Sequence, residues 1–341
     1  MNASIRDVAL RAGVSVGTVS NVLNRPDTVG EATRDRVLSA IDALGFVRNE
    51  SARQLRAGRS RTIGLVVLDI SNPFFTDVAR GVEEVANAQG LSVILCNSDD
   101  LPDKEAAHLD ALSEQRVQGV LITPTAELSP HLDALRARGV PVVLVDRRPS
   151  GPDQCAVAVD DVLGGRIAAE HLLERGHRRI AFVGGASGLP QVQERHEGVA
   201  AAVRDALGSD DALTVLSPEA LTVAGGREAA ARIVGIPAAR RPTAAICAND
   251  LMALGLLQGM VRHDVRVPDD FAIVGYDDID FAAAAAVPLT SVRKPRHELG
   301  RRATELLLSE ALGEGHRHEQ QIFGPQLVVR ESSMVRRETA S

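Results

Sequence analysis

From residue 62 onward, short apolar runs alternate with amphipathic stretches, and this alternation restricts the possible folds more than any other feature. The stretches between the runs show helical periodicity, and the runs themselves are typical of buried strands. The predicted strands are TIGLVVL, SVILC, GVLIT, VPVVLVD, RIAFVGG, AAICA and FAIVGY. Strand–helix–strand units of this kind predict an α/β body of parallel sheets, which bind ligands beyond the carboxyl ends of their strands.

Length and composition exclude several classes of protein. With 341 residues, 45% of them hydrophobic, the chain is long enough for two or three folding units. It has no run of eighteen apolar residues, and its N-terminal residues lack the apolar segment of a secretory signal. Three scattered cysteines (Cys96, Cys155, Cys247) indicate reduced, buried thiols rather than disulfides or a zinc site. We therefore expect a cytoplasmic protein with no cofactor and no metal.

The charge is unevenly distributed along the chain. Residues 1–60 contain nine arginines, no lysine and six acidic residues, a net charge of +3. The rest of the chain carries −10, which brings the total to −7. A basic N-terminal segment on an acidic body indicates a separate module that faces a polyanion.

The segment IRDVALRAGVSVGTVSNVLN predicts two short helices joined by a turn. Ser4 and Asp7 have the spacing of a capping box, and Gly13 is a typical helix terminator. Ser15 is placed to cap the second helix. Two helices joined by a glycine-containing turn form a helix-turn-helix, although an ordinary surface hairpin has the same spacing.

The second helix is predicted to point its apolar side chains inward and to leave a face of small and polar groups. Val19, Val22 and Leu23 fall on the inner face. The outer face holds Val16, Gly17, Thr18, Ser20 and Asn21. Short hydroxyl and amide groups can contact phosphates, and asparagine can bond an adenine edge, so this face is suited to DNA.

A third helix is predicted from about Glu31 to Leu44, with Val37, Leu38, Ile41 and Leu44 as its apolar stripe. Residues 49–57 also favour a helix, but a helix of that length is not stable alone in water. The segment is therefore either a solvated linker or a helix that forms only against a partner, with Leu55 as its exposed apolar residue.

The order of motifs along the chain resembles that of the lac-repressor (LacI) family of transcription regulators. The N-terminal motifs are AGVSVGTVSNVLN, VGEATRDRV, ALGFVRNESARQLRAG and TIGLVVLDISNPFF. Further motifs are ILCNSDD, GVLIT, PVVLVDRR, VDDVLGGRIAAEHLLERGHRRIAFVGG, ERHEG, AICANDLMALGLL, VPDDFAIVGYDDI, PLTSVR and VVRESS. The resemblance covers the whole chain.

For DNA, the resemblance implies a helix-turn-helix domain over residues 1–48 and a hinge helix over residues 49–61. Val16, Gly17 and Asn21 match the base-reading positions, and Ser15, Thr18, Ser20 and Asn24 match positions near phosphates. The hinge positions in the minor groove are Asn49, Ala52, Arg53 and Leu55, with Leu55 as an apolar wedge. A homodimer on a palindromic operator is expected. The chain has no C-terminal leucine heptad, so a dimer is expected rather than a tetramer.

For the body, the resemblance implies two periplasmic-binding-protein-like subdomains with a small effector between them. The first comprises residues 62–161 and 291–321, and the second residues 162–290 and 322–341. The positions expected to line the cleft are Asp69, Asn72, Phe74, Phe75, Thr123, Asp146, Arg195, Asn249 and Asp277. Each aspartate could instead serve only as a turn or helix cap at a strand end.

This residue set suits a polyhydroxylated ligand, because carboxylates and amides bond vicinal hydroxyls and an aromatic ring covers an apolar sugar face. A sugar-responsive repressor is therefore the leading interpretation. One alternative is a sugar-binding protein of a transport system, which would need a signal peptide and has no use for residues 1–60. Another is an α/β sugar-metabolising enzyme, but the glycine-rich residues 184–188 lack the G-x-G-x-x-G order, and the sequence has no G-K-[ST].

Overall fold

The computed structural model describes residues 3–46, 60–126, 130–149, 151–184, 188–313 and 315–334. The chain divides into two compact units, residues 1–60 (the head) and 61–341 (the body). Among the described residues, no helix has the length and apolar character needed to cross a membrane.

The head is built from three helices: α1 Ile5–Ala12, α2 Val16–Asn24 and α3 Glu31–Leu44. The predicted capping box is present, because the Ser4 hydroxyl accepts the Asp7 N–H and the Asp7 carboxylate accepts the Ser4 N–H. Gly13 ends α1 with a φ of +65°, a left-handed conformation that glycine adopts without steric cost. Ser15 caps α2 by accepting the Thr18 N–H at 3.0 Å.

The apolar face of α3 differs from the prediction at one position. Val37 is fully buried with Val8 and Val19, but Leu38 is 44% exposed. Leu38 follows Val37 by 100° around the helix, whereas Ala40 and Ile41 lie on the Val37 face and pack into the head core. The prediction of Leu38 as a core residue was therefore wrong.

The body contains two six-stranded sheets, each with its strands numbered in chain order. The first sheet holds β1 Thr62–Val67, β2 Ser92–Asn97, β3 Val120–Ile122, β4 Val142–Val145, β5 Ala156–Val159 and β11 Gln320–Phe323. The second holds β6 Ile180–Val183, β7 Leu213–Leu216, β8 Ala244–Cys247, β9 Ala272–Asp277, β10 Thr290–Arg293 and β12 Gln326–Val328. The spatial orders are β11-β5-β4-β3-β1-β2 and β12-β10-β9-β8-β6-β7, and only β12 runs antiparallel to its neighbour. The predicted α/β class with a helical head is confirmed.

Helices cover both sheets. The first sheet is accompanied by α4 Pro73–Ala88, α5 Pro102–Glu114, α6 Pro130–Ala137 and α12 Arg296–Leu312. The second is accompanied by α7 Asp161–Glu174, α8 Pro190–Leu207, α9 Val223–Gly235, α10 Asp250–Arg262 and the short α11 Asp280–Ala283. Because the inner strands of the two sheets, such as β3, β4, β6, β8 and β9, are buried on both faces, they read in the sequence as continuous apolar runs.

The chain crosses between the sheets at positions that differ slightly from the predicted boundaries. Residues 291–321 are predicted to return to the first subdomain, but β10 pairs with β9 in the second sheet, with Arg293 opposite Asp277. Residues 322–341 are predicted to belong to the second subdomain, but β11 of the first sheet continues to Phe323 in its pairing with β5. The crossings therefore follow Arg293 and Phe323.

Helices α7 and α8 approach each other through a reciprocal pair of glycines. A Cβ on Gly165 would lie 2.0 Å from the Arg195 carbonyl oxygen, and one on Gly198 would lie 1.9 Å from the Val162 carbonyl oxygen. The pair α4–α12 repeats this arrangement through Gly81 and Gly300, and the pair α9–α10 through Gly226 and Gly255. These contacts join backbone to backbone, so no side-chain movement can make room for a methyl group.

We expect Gly198→Ala to lower the free energy of unfolding by about 1–3 kcal/mol despite the better helix propensity of alanine, because the methyl group forces α7 and α8 apart. Gly235→Ala is the matched control, since nothing lies within 4 Å of its added Cβ. Urea unfolding of both variants tests this expectation. Equal stability of the two would contradict the close-packing interpretation.

Candidate functional site

The outer face of α2 is open, as the sequence predicts. Ser15, Val16, Gly17, Asn21 and Asn24 are exposed, Thr18 and Ser20 are half-buried, and Val19 and Val22 are buried. The Asn24 amide donates to the Ser20 carbonyl at 2.9 Å, which fixes the last turn. Among the described residues, none offers the Asn21 side chain a hydrogen bond, so its amide is available to a ligand. The predicted hinge residues Asn49, Ala52, Arg53 and Leu55 lie outside the described residues.

A cavity of about 300 Å³ lies between the carboxyl ends of the two sheets of the body. It is lined by eight of the nine predicted effector residues: Asp69, Asn72, Phe74, Phe75, Asp146, Arg195, Asn249 and Asp277. They come from the ends of β1, β4, β8 and β9 and from α4 and α8. The parallel topology brings these distant residues together, because the strands of each sheet end at the same edge.

Thr123 is the one predicted residue that does not line the cavity. It is buried, and its hydroxyl donates to the Val145 carbonyl oxygen at 2.9 Å. The hydroxyl thus joins the ends of the adjacent strands β3 and β4. Thr123 therefore links two strands of the sheet and does not line the cavity.

Ten further residues, which were not selected from the sequence, also line the cavity. They are Leu68, Ser71, Asp99, Asp100, Leu189, Gln191, Val192, Ala220, Leu221 and Thr222. Asp99 and Asp100 belong to the NSDD motif after β2, so a systematic survey of strand ends would have found them. Leu68 directly follows β1, and the others lie in loops and at the start of α8, where no strand-end pattern marks them.

Lys294 is the most important residue that the sequence analysis missed. Its side chain is fully buried, and its ammonium lies 2.6 Å from the Asp146 carboxylate. It also lies 3.8 Å from Asp277 and 4.0 Å from the centroid of the Phe74 ring. Asp146 belongs to the first sheet and Asp277 to the second, so one buried cation holds carboxylates from both sides of the cavity.

Arg195 is similarly committed to partners within the protein. Its Nε donates to Asp161 at 2.8 Å, one terminal nitrogen donates to the Ala248 carbonyl at 2.6 Å, and its guanidinium stacks 3.9 Å from the Tyr276 ring centroid. Burial alone would raise the pKa of Asp161, but the charges of Arg195 and Lys294 outweigh burial and hold that pKa below its usual range. Asp161 is therefore ionised and fixes the guanidinium.

Three aspartates of the cavity have raised pKa values, and burial raises the pKa of Asp277 against the opposing charge of Lys294. Burial raises the pKa of Asp146 to about 6 even though Lys294 opposes the shift. Partial burial and the neighbouring charges of Asp69 and Asp99 raise the pKa of Asp100 to about 6. Both residues have positive φ angles, +55° for Asp146 and +58° for Asp100, a conformation uncommon outside glycine. Charge crowding and backbone strain of this kind are typical of ligand sites.

The alternative role as a turn or cap applies to several of these residues as well. Asp69 accepts the Ser71 N–H at 2.8 Å in a turn. Asn72 and Asn249 cap α4 and α10 by accepting the N–H groups of Phe74 and Met252. The Asn72 amide is also 3.4 Å from Asp277, which gives a second contact between the two sides of the cavity. Local capping therefore orients side chains that line the cavity.

Sequence comparisons place known families on both units. A model described as bacterial regulatory proteins of the lacI family matches residues 4–49, and a periplasmic binding protein-like domain matches residues 169–333. The HTH-type transcriptional repressor PurR of Photobacterium profundum is 35% identical over 331 residues, covering 97% of this chain and 98% of the relative. PurR of Vibrio cholerae serotype O1 (strain M66-2) is also 35% identical, with 97% and 98% covered.

Solved structures show the same architecture. The lac repressor dimer bound to operator and the anti-inducer ONPF superposes with a TM-score of 0.83 at 25% identity, covering 98% of this chain and 100% of that chain. A complex of the transcriptional regulator CelR with cellobiose has a TM-score of 0.71 at 32% identity, covering 97% and 100%. A regulator from Enterococcus faecium with bound ribose has a TM-score of 0.73 at 30% identity, covering 80% and 98%.

Proposed function

Because the chain belongs to the lacI family of bacterial regulatory proteins and is a DNA-binding transcriptional repressor with a ligand-binding body, we propose that it is a cytoplasmic homodimer that releases its operator when a small neutral carbohydrate binds in the cavity. The observation that carries the proposal is the aspartate-rich cavity between the two sheets. The dimeric lac repressor on its operator supports the assembly. The regulators with bound ribose and cellobiose support the class of ligand.

The head supplies sequence recognition in this proposal. The open amide of Asn21 reads a base edge, Val16 contacts apolar base surface, and the small Gly17 permits close approach of α2 to the major groove. The exposed or half-buried hydroxyls of Ser15, Thr18 and Ser20, together with the Asn24 amide, contact phosphates. The residues Asn49, Ala52, Arg53 and Leu55 form the hinge in the minor groove.

Gly17→Ala separates a structural from a recognition role for this glycine. An added Cβ meets only the Ser15 hydroxyl at 3.6 Å, so alanine fits the free protein. We expect the head to gain about 0.5–1 kcal/mol of stability while specific operator affinity falls roughly tenfold. Fluorescence anisotropy over a salt series measures the affinity, and the salt slope should stay unchanged because the phosphate contacts remain. Unchanged operator affinity would contradict the groove contact.

The cavity suits a neutral, hydroxyl-rich ligand for two reasons. Five lining aspartates (Asp69, Asp99, Asp100, Asp146, Asp277) offer acceptors, and Asn249 and Gln191 add amides that both donate and accept. Phe74 and Phe75 lie against the same space and can cover an apolar sugar face. A volume of about 300 Å³ favours a monosaccharide over a longer sugar.

The charges disfavour an anionic ligand such as a sugar phosphate. Arg195 is the sole cationic side chain among the described residues that line the cavity, and it is paired with Asp161. Lys294, just behind the wall, is held by Asp146. A phosphate would therefore meet several carboxylates without an uncommitted cation to balance them.

Calorimetric titration with a panel of aldopentoses, aldohexoses, their phosphates and neutral nucleobases tests the effector proposal. We expect one neutral monosaccharide to bind and to be recovered unchanged by mass spectrometry. Asp100→Asn should weaken that binding at least about tenfold, because an amide replaces a carboxylate acceptor. Asp264→Asn is the matched control, since Asp264 is exposed, has a similar φ of +57° and does not line the cavity. Binding only by nucleobases or phosphates, or conversion of the sugar, would overturn the proposal.

Coupling between effector and operator is the second requirement of the proposal. Operator affinity should fall by about 5–150-fold at saturating effector, and effector affinity should fall by the same factor on the operator-bound dimer. The two titrations, with the oligomeric state checked by light scattering, measure both sides of this linkage. Tighter operator binding with effector would show corepression instead of induction.

A further inference from the structure

A cluster of four side chains with metal-binding chemistry lies at the amino-terminal ends of β5 and β11. Cys155 immediately precedes β5, and His316 and His318 lie in the segment that leads into β11. Glu310 comes from the last turns of α12. The effector cavity lies at the opposite, carboxyl ends of the strands, so this cluster is separate from it.

The distances within the cluster match those of a metal site. The Cys155 Sγ lies 3.1 Å from Nε2 of His316 and 3.7 Å from Nδ1 of His318. Two ligands at Zn–S and Zn–N distances of about 2.3 and 2.05 Å stand roughly 3.5 Å apart in a tetrahedral site. All four ligand atoms, including a Glu310 carboxylate oxygen, lie within 4.8 Å of one another. A contraction of at most about 1.3 Å at the widest pair completes the geometry.

The groups around the cluster also point to a ligand. The Glu310 Oε2 is buried and accepts no hydrogen bond from any part of the chain that the structure describes. Nδ1 of His316 is 3.3 Å from the Ser309 hydroxyl, which leaves Nε2 to face Cys155. Metal-bound histidines are typically oriented in this way by a bond from the other ring nitrogen. The Glu319 N–H donates to Sγ at 3.4 Å, a contact that stabilises a thiolate.

We propose that Cys155, Glu310, His316 and His318 form a tetrahedral site for a divalent transition metal of the Zn²⁺ class. One thiolate, two imidazoles and one carboxylate match the ligand preferences of this borderline-soft ion, whereas Ca²⁺ and Mg²⁺ take oxygen ligands alone. The bound ion would tie the end of α12 and the segment before β11 to the residue that immediately precedes β5. Its role is structural, because all four positions are occupied by protein ligands.

Titration of the chelator-treated full chain with Co²⁺, followed by displacement with Zn²⁺, tests the site. We expect one Co²⁺ per chain, with the intense visible bands of a tetrahedral ion and a near-ultraviolet thiolate-to-cobalt band. Zn²⁺ should abolish these bands and raise the melting temperature. Cys155→Ser should remove the thiolate band, and the exposed His318→Ala should weaken binding by at least about tenfold without affecting folding. Ser309→Ala should weaken it by about 10–100-fold through loss of orientation.

Two variants serve as controls. Cys96→Ser removes a buried cysteine outside the cluster, and His131→Ala removes a histidine that pairs with Asp110. Both should bind Co²⁺ as the unmodified chain does. The proposal would be overturned by absence of the thiolate band, or by its persistence in Cys155→Ser. Equal Co²⁺ affinity in His318→Ala and His131→Ala would overturn it as well. Circular dichroism establishes that each variant is folded.

Discussion

Lys294→Met is expected to destabilise the body by about 3–5 kcal/mol at pH 7.5, the usual cost of breaking a buried ion pair by removing one partner. The variant leaves Asp146 and Asp277 buried without their shared cation. Lys104→Met is the matched control, because Lys104 is the other lysine of the chain and forms an exposed pair with Asp99. That substitution should cost no more than about 1 kcal/mol. Urea unfolding of both variants provides the measurement.

The cost of Lys294→Met should depend on pH in a defined direction. Burial already raises the pKa of Asp146 to about 6, and removing the ammonium raises it further. A carboxyl group with a raised pKa in the folded state is stabilising below its unfolded pKa of about 4, and this contribution is lost as pH rises through the folded pKa. The difference between variant and unmodified chain should therefore be smaller at pH 5 than at pH 7.5. A pH-independent difference would mean that packing, not charge, explains the loss.

Removal of residues 1–60 should lower operator affinity by at least about 10³-fold, because all the sequence-specific contacts that we propose belong to the head. Effector affinity of the remaining body should stay within roughly threefold. The head residues Val8, Val19 and Val37 belong to a hydrophobic cluster of their own, which contains no residue of the body. Anisotropy with an inverted repeat selected from random duplexes, and calorimetry with the effector, measure the two activities. Loss of both activities would place part of the effector site in the head.

The predictions that depend on local chemistry were the most accurate. The caps of α1 and α2 are present at the predicted residues, and the inward face of α2 is correct, because a cap or an amphipathic stripe involves residues only three or four positions apart. Strand ends predicted four residues of the cavity wall, Asp69, Asp146, Asn249 and Asp277, for a related reason, and the family resemblance supplied the other four. A parallel sheet brings every carboxyl end to one edge, so a polar residue after each apolar run reaches the same space. Thr123 does not line the cavity, because its hydroxyl donates to the Val145 carbonyl oxygen of the neighbouring strand β4.

The residues that the sequence did not reveal are those whose partners lie far along the chain. Lys294 contacts Asp146, 148 positions away, and Cys155 contacts His318, 163 positions away. Composition and periodicity carry information about neighbours within a few residues, and such contacts leave no local pattern. The crossings of the chain between the two sheets create both contacts, since they return α12 and β11 to the first sheet after β6 to β10 of the second.

By itself, the sequence determined the helix-turn-helix, the α/β class of the body and the polar residues at its strand ends, because short-range periodicity and capping specify all three. The tertiary structure alone decided which charges are balanced inside the cavity wall, where the chain passes from one sheet to the other, and which cysteine lies beside two histidines. Those features depend on which strands become neighbours, and strand order is set by the packing of the entire body.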